Sequence, residues 1–183
     1  MHAHKGNNLL NAKEILAEVG VRKDMHVADL GCGGSGHFVI PAAKMVGEHG
    51  VVYAVDILQK ALESVQGKAR GERLGQLHTI WADIESFGAT PIAEKSLDQA
   101  YLINVLFQSI NYAAIIGEAY LLLQKGGLLL VIDWDSTPSP FGPTSDQQVR
   151  QQDVEDRAMA TGFVLRKRFK PGKYHFGLIF IKK

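Results

Sequence analysis

Two spacings of apolar residues alternate along this chain. Ile15, Leu16 and Val19 share one helical face; Asn11 stands where a cap belongs, with Glu14 three residues on and Gly20 as a stop. Val27-Ala28-Asp29-Leu30 then reads as a buried strand, and a glycine-rich loop follows at once. A helix is expected from about His37 to Val46, ending near Gly47, with Pro41 in its first turn or so, where a missing N–H costs little. The pattern predicts a second strand over 51–55 that ends at Asp56, a helix over 58–70, a third strand over 77–81 ending before Asp83, and a fourth over 97–103. Asn111 caps a helix through Leu123 that Gly126-Gly127 ends, and 128–132 is a fifth strand ending at Asp133. Strands separated by helices argue for a parallel sheet covered on both faces. The tail departs from that rhythm. A Pro- and Ser-rich loop over 136–145 leads to a polar helix around 146–160. Strands over 163–169 and 174–181 are joined by Lys170-Pro171-Gly172-Lys173, a turn that makes an antiparallel hairpin. The expected class is α/β, a mostly parallel seven-stranded sheet with an antiparallel C-terminal hairpin strand.

At 183 residues the chain suits a single domain, 1–183, with an N-terminal helix in 1–20 and a core in 21–183. Hydrophobic residues make up 46%, enough for such layers, and a net charge of +1 supplies no field toward nucleic acid or membrane. No apolar run approaches the roughly 20 residues a membrane helix needs. Met1-His2-Ala3-His4-Lys5-Gly6 lacks the apolar stretch of a signal peptide, so a cytoplasmic location is expected. Cys32 is the only cysteine, which leaves no internal disulfide and no multi-cysteine metal site. His2 and His4 read as part of a disordered terminus rather than a metal pair, and no metal is expected.

The chemistry starts at the loop. Gly31-Cys32-Gly33-Gly34-Ser35-Gly36 is a literal G-x-G-x-x-G, whose glycines permit a tight turn and close approach of a ligand to the backbone. Asp56 follows 20 positions after Gly36, at a strand end where a carboxylate can accept from both hydroxyls of a ribose. These features suit a nicotinamide dinucleotide as well as S-adenosylmethionine. Three others separate the two. Asp29, two residues before Gly31, suits a ligand with positive charge and is a poor neighbour for a pyrophosphate. Asp83, in Trp81-Ala82-Asp83-Ile84, can accept from an adenine amino group. The closing hairpin is no part of a plain dinucleotide-binding unit.

From about Asn8 to its end the chain resembles the class I S-adenosylmethionine-dependent methyltransferases. The segment Asp29-Leu30-Gly31-Cys32-Gly33-Gly34-Ser35-Gly36 matches their first motif, Asp56 their ribose-binding acid and Asp83 their adenine-side acid. Leu102-Ile103-Asn104-Val105-Leu106-Phe107 matches the segment that lines the methyl-transfer site, and Gly126 to Trp134 the fifth strand. Ile132-Asp133-Trp134, Phe141-Gly142-Pro143 and Tyr174-His175-Phe176-Gly177-Leu178 are similar to the tails of small bacterial and archaeal members, a subgroup of generic methyltransferases that specifies no substrate. The resemblance implies a Rossmann-like three-layer sandwich. It also implies S-adenosylmethionine as cofactor, S-adenosylhomocysteine as product, and cofactor contacts from Asp29, Gly31, Cys32, Gly33, Gly34, Ser35, Gly36, Asp56, Ile57, Asp83, Ile84 and Asn104. One departure stands out: the family loop is Asp-x-Gly-x-Gly-x-Gly, and here an extra residue lies between Gly33 and Gly36, so either Gly33 or Gly34 is the insertion.

Methyl transfer from a sulfonium mainly requires alignment and exclusion of water, and a base only where the nucleophile holds a proton. Candidates on the substrate side are therefore few. Asp133 is the first choice for an acid or base, with a capping role as the alternative, and His175 is the second, with edge-strand packing as the alternative. Phe107, Trp134 and Tyr174 are candidate pocket walls. Cys32 is read as a small residue tolerated in a tight turn rather than a reactive thiol. Arg166, Lys167, Arg168, Lys170 and Lys173 form a basic cluster that would meet phosphate in an RNA- or protein-methylating enzyme; a solvated edge that discourages strand pairing is the plainer reading. A small-molecule acceptor is favoured, with RNA or protein methylation, nicotinamide-dependent oxidoreduction and non-catalytic binding as the rivals. The acceptor and the oligomeric state are not specified.

Overall fold

The computed structural model describes residues 7–183, so His2 and His4 lie outside the described residues. Helix α1 (Ala12–Val19) opens as its sequence requires. The Asn11 side chain accepts from the Glu14 N–H, and Gly20 closes the helix at φ +82°, in the left-handed region that costs glycine nothing. The elements that follow are β1 (His26–Leu30), α2 (Val39–Val46), β2 (Val51–Asp56), α3 (Gln59–Gly71), β3 (Leu77–Trp81), β4 (Leu97–Ile103), a 3-10 turn (Leu106–Gln108), α4 (Tyr112–Leu122), β5 (Leu123–Trp134), α5 (Gln151–Thr161), β6 (Phe163–Gly172) and β7 (His175–Lys182).

The sheet has seven strands in the order β3-β2-β1-β4-β5-β7-β6. Strands β1 to β5 pair in parallel, and β7 runs antiparallel to both β5 and β6. The hairpin thus inserts its second strand beside β5 and leaves its first at the sheet edge. Alternation along each strand divides the core into two layers. Tyr101, Ile103, Leu130, Ile132 and Ile179 pack with α1, α2 and α3, whereas Ala100, Leu102, Leu129, Val131 and Leu178 pack with α4 and α5. This is the Rossmann-like three-layer arrangement, and it brings the C-terminal ends of β1, β2, β3 and β4 to one edge, where α/β sheets bind ligands.

Three boundaries differ from the sequence reading, the first being the end of β6, which runs on through Lys170 and Pro171 to Gly172 and leaves only 173–174 as the turn. The polar helix starts at Gln151, five residues later than expected, where the Arg150 guanidinium forks onto Asp153. Only Val154, Glu155 and Ala158 of this helix are buried, so periodicity marks its start weakly. Strand β5 starts at Leu123 and runs through Gly126, which has φ +82°, with a register irregularity against Leu97 and Gln99. No helix among the described residues is long and apolar enough to cross a membrane.

Candidate active site

A cavity of about 360 Å³ opens at that edge of the sheet. Its walls come from four loops. Gly31 and Gly33 follow β1, Asp56 to Leu58 follow β2, Ala82 to Glu85 follow β3, and Asn104, Val105, Gln108 and Ser109 follow β4. Asn7, from the N-terminal segment, and Ile115, from α4, complete it. Gly31 has φ +87°, and a Cβ there would lie 2.5 Å from Val105 Cγ2, so glycine is what lets the loops after β1 and β4 meet.

Asp56 is the hinge of the site. One carboxylate oxygen accepts from the Gly33 N–H at 2.8 Å and the other from the Leu58 N–H at 2.9 Å. Each oxygen keeps a lone pair for a ligand hydroxyl. Asp83 accepts from the Glu85 N–H at 2.9 Å and from the Ser86 hydroxyl at 3.2 Å, which fixes the carboxylate beside Ile84. Asp29 is buried beneath the loop, and burial together with the neighbouring Asp56 charge pushes its carboxyl up to about 7. Asn104 is buried in the left-handed region, at φ +54°. Its Nδ2 donates to Asn7 Oδ1 at 2.8 Å, and its own Oδ1 has no partner among the described residues.

The rest of the glycine loop turns away from the cavity. Cys32 joins the core below, where burial and the charges of Asp29 and Asp56 push its thiol far up and out of reach of a thiolate role. Gly34 packs against Ala61 of α3 and opens on a neighbouring groove with Leu58 and Trp81. The carbonyls of Gly34 and Ser35 both accept from Lys68 Nζ, at 3.2 and 2.6 Å, and the Gly34 carbonyl also accepts from the Ser64 hydroxyl at 2.9 Å. Gly36 faces Ile40. Gly31, Gly33 and Gly36 have positive φ and Gly34 does not, so the extra residue is absorbed as a bulge toward α3.

The substrate-side candidates gather elsewhere. Asp133 is wholly buried. One oxygen accepts from the N–H groups of Leu106 and Phe107 at 3.0 and 3.3 Å and the other from Trp134 N–H at 2.8 Å, while burial raises its carboxyl to about 7. It staples the 3-10 turn to β5. Phe107 is half-buried on that turn and Tyr174 half-buried at the hairpin; neither lines the cavity. Trp134 and His175 pair across β5 and β7, with ring centroids 4.3 Å apart and a tilt of 33°. Sequence reasoning missed Asn7, Leu58, Gln108, Ser109 and Lys68, which only the tertiary fold brings to the site or its loop.

The chain belongs to the methyltransferase domain family, whose model matches residues 21–171. The curated relatives it matches are longer proteins, and the chain spans about half of their length or less. The ubiquinone/menaquinone biosynthesis C-methyltransferase UbiE of Pseudoalteromonas translucida is 31% identical over 132 residues, 70% of this chain and 50% of that protein. A SAM dependent methyltransferase from Aquifex aeolicus shares the fold with a TM-score of 0.86 at 22% identity, over 96% of this chain and 91% of the other. So does the [4+2]-cyclase SpnF, with a TM-score of 0.77 at 14% identity, over 93% and 80%.

Proposed function

We propose that this chain binds S-adenosylmethionine in the cavity and transfers its methyl group to a small-molecule acceptor, with S-adenosylhomocysteine as product. The carrying observation is convergence: Asp56, Asp83, Gly31 and Asn104 reach one cavity from four different strand ends. A neighbour on the same fold is a cyclase, so the reading rests on these residues and the family rather than on topology. Asp83 and Ile84 suit an adenine, Asp56 the two ribose hydroxyls, and the unpaired Asn104 Oδ1 a cationic amino group. Gly31 and Gly33 allow the close approach this requires. When bound, the cofactor supplies a methyl group on a positively charged sulfur that departs as a neutral thioether. The chain's part is to orient that methyl and keep water out. Asp133 contributes by holding the 3-10 turn that carries Gln108 against the cavity.

Relatives named for ubiquinone/menaquinone, demethylmenaquinone and sterol methylation support a small-molecule acceptor. The basic cluster speaks against a phosphate surface, because Lys167 pairs with Glu18, Arg168 with Glu155 and Lys170 with Asp135. The buried Asp29 carboxyl under the loop speaks against a dinucleotide pyrophosphate. A cytoplasmic location belongs to the same reading, in keeping with a single cysteine held as a free, buried thiol. Calorimetric titration with S-adenosylmethionine, S-adenosylhomocysteine and NAD tests it. Saturable binding of the first two is expected, and tight NAD binding with none for the others would overturn it.

A further inference from the structure

Trp134 and His175 are 1% and 0% exposed, yet the indole N–H and both imidazole nitrogens lack partners among the described residues. Native cores rarely leave one such group unpaired, and three on two touching rings need an explanation. Their position supplies one. Trp134 ends β5 and His175 begins β7, so both stand at the same sheet edge as the cavity. Ile132, two residues before Trp134, accepts from the Asn104 N–H at 2.8 Å, so the ring pair lies one strand beyond the cavity wall.

What covers the pair is irregular chain. Residues 136–150 form neither helix nor strand, and connections of that length inside a compact domain are uncommon outside functional loops and linkers. Its Gly142 lies directly on the indole: a Cβ there would sit 2.7 Å from Trp134 Cε3. On the other side, Gly172, which pairs with His175, is met by Leu9 and Leu10. The same short N-terminal segment carries Asn7, the partner of Asn104 in the cavity. The N-terminal segment thus touches both the cavity and the hairpin end beside His175.

We propose that Trp134 and His175 floor an acceptor compartment that forms next to the cofactor cavity when the 136–150 segment lifts, and that it takes an acceptor bearing a hydroxyl group, an alcohol or phenol, whose proton His175 receives. This deepens the methyl-transfer reading and rests on it. The chemistry selects the hydroxyl. Burial holds the imidazole down to about 4, with Asp135 opposing and Lys170 assisting, and those two are paired with each other. The ring is thus neutral near pH 7, with one N–H and one bare nitrogen. A hydroxyl pairs two of the three groups at once: its O–H donates to the bare nitrogen, and its oxygen accepts from the indole N–H. An ammonium, which only donates, would leave the indole N–H unpaired, and a carboxylate, which only accepts, would leave the bare nitrogen unpaired. In the transfer, the acceptor oxygen bonds to the methyl carbon as the carbon–sulfur bond breaks. That electron pair passes to sulfur, and the hydroxyl proton passes to the imidazole, which returns it to water when the cover opens.

The chain has two tryptophans, so Trp81→Phe leaves Trp134 as the sole indole reporter. This variant, saturated with S-adenosylhomocysteine, is titrated with phenol and with toluene, which has the same shape without the hydroxyl. Phenol should change Trp134 emission saturably and bind about tenfold more tightly than toluene, as expected for a hydrogen-bonded buried group. Adding His175→Leu should abolish that preference and leave S-adenosylhomocysteine affinity within about twofold. Equal binding of phenol and toluene, or no saturable response from Trp134, overturns the compartment even where His175→Leu fails to fold. If S-adenosylhomocysteine itself does not bind, the methyl-transfer reading falls, and the compartment with it.

Discussion

Replacing Asp56 by Ala tests the site at the residue that joins its structure to its chemistry. Two effects are expected, and they are separately measurable. In the free protein the change removes a carboxylate that accepts from Gly33 N–H and Leu58 N–H at 2.8 and 2.9 Å, and both donors sit on loops that wall the cavity. Hydrogen bonds to a charged group contribute about 1.5–3 kcal/mol each. Part of that is offset, because Asp56 also raises the Asp29 carboxyl and its removal relieves the repulsion. A net loss of about 2–4 kcal/mol lowers the melting temperature by roughly 5–15 °C in a chain of this size. In the complex the change also removes the acceptors for two ribose hydroxyls, a further loss of about 1–3 kcal/mol, or roughly 5- to 150-fold in affinity. Thermal melts report the first effect and calorimetric titration with S-adenosylhomocysteine, below the melt, the second. Asp56→Asn keeps the shape and one acceptor oxygen, so it should fall between wild type and Ala on both axes. If folded Asp56→Ala bound S-adenosylhomocysteine within twofold of wild type, the ribose assignment would be wrong, whatever happened to stability.

Gly31→Ala combines a left-handed backbone with a Cβ 2.5 Å from Val105, so a loss of about 1–3 kcal/mol is expected in urea unfolding, together with weaker S-adenosylhomocysteine binding. Lys68→Met removes the ammonium that holds the Gly34 and Ser35 carbonyls; because the side chain is exposed, cofactor affinity should fall only about two- to tenfold, and a change beyond that would mean the loop is held in some other way. The buried carboxyls give stability a definite pH dependence. Asp29 and Asp133 both rise from 3.8 to about 7 on folding, so between those values the folded chain binds more protons than the unfolded one. Stability should therefore fall as pH rises through that window and level off above it. Asp29→Asn should flatten the fall, and an unchanged slope in unfolding experiments from pH 5 to 7.5 would count against the burial of that charge.

The fold was readable where a local rule and the tertiary packing agree. Asn11 and Asn111 cap their helices through their own side chains, a contact between residues three apart that needs no knowledge of the rest. The continuous apolar run of the fifth strand, 128–132, announces burial on both faces, and that strand lies inside the sheet. Where the two levels part, legibility ends. The α5 helix is polar nearly all round, and its start is set by an Arg150–Asp153 fork rather than an apolar stripe. The sequence also marks a C-terminal hairpin without saying which of its strands meets β5; the pairing of β7 with β5 is decided by its apolar residues, of which Leu178, Ile179 and Phe180 are buried, against the charged run in β6.

The site divides along the same line, and the glycine loop shows why. Acids at strand ends are visible in one dimension because a strand's end fixes where its next side chain goes, so Asp56 and Asp83 reach the cavity as expected. The loop's own residues are not so constrained. A motif of glycines states that close approach is possible, not which residue makes it. Here Gly31 and Gly33 approach the cavity, while the carbonyls of the next two residues turn outward to Lys68, more than thirty positions along the chain. An insertion into a ligand-binding loop has to place its extra peptide groups where they keep hydrogen-bond partners. Lys68 and Ser64 on α3 meet that requirement. The lengthened loop and the lysine on α3 are thus one structural device, and shortening the loop by deleting Gly34 should be tolerated only at the expense of the Lys68 contacts. A deletion variant that kept wild-type affinity for S-adenosylhomocysteine and no longer lost any when Lys68 became Met would establish that coupling; equal losses from Lys68→Met in both backgrounds would refute it.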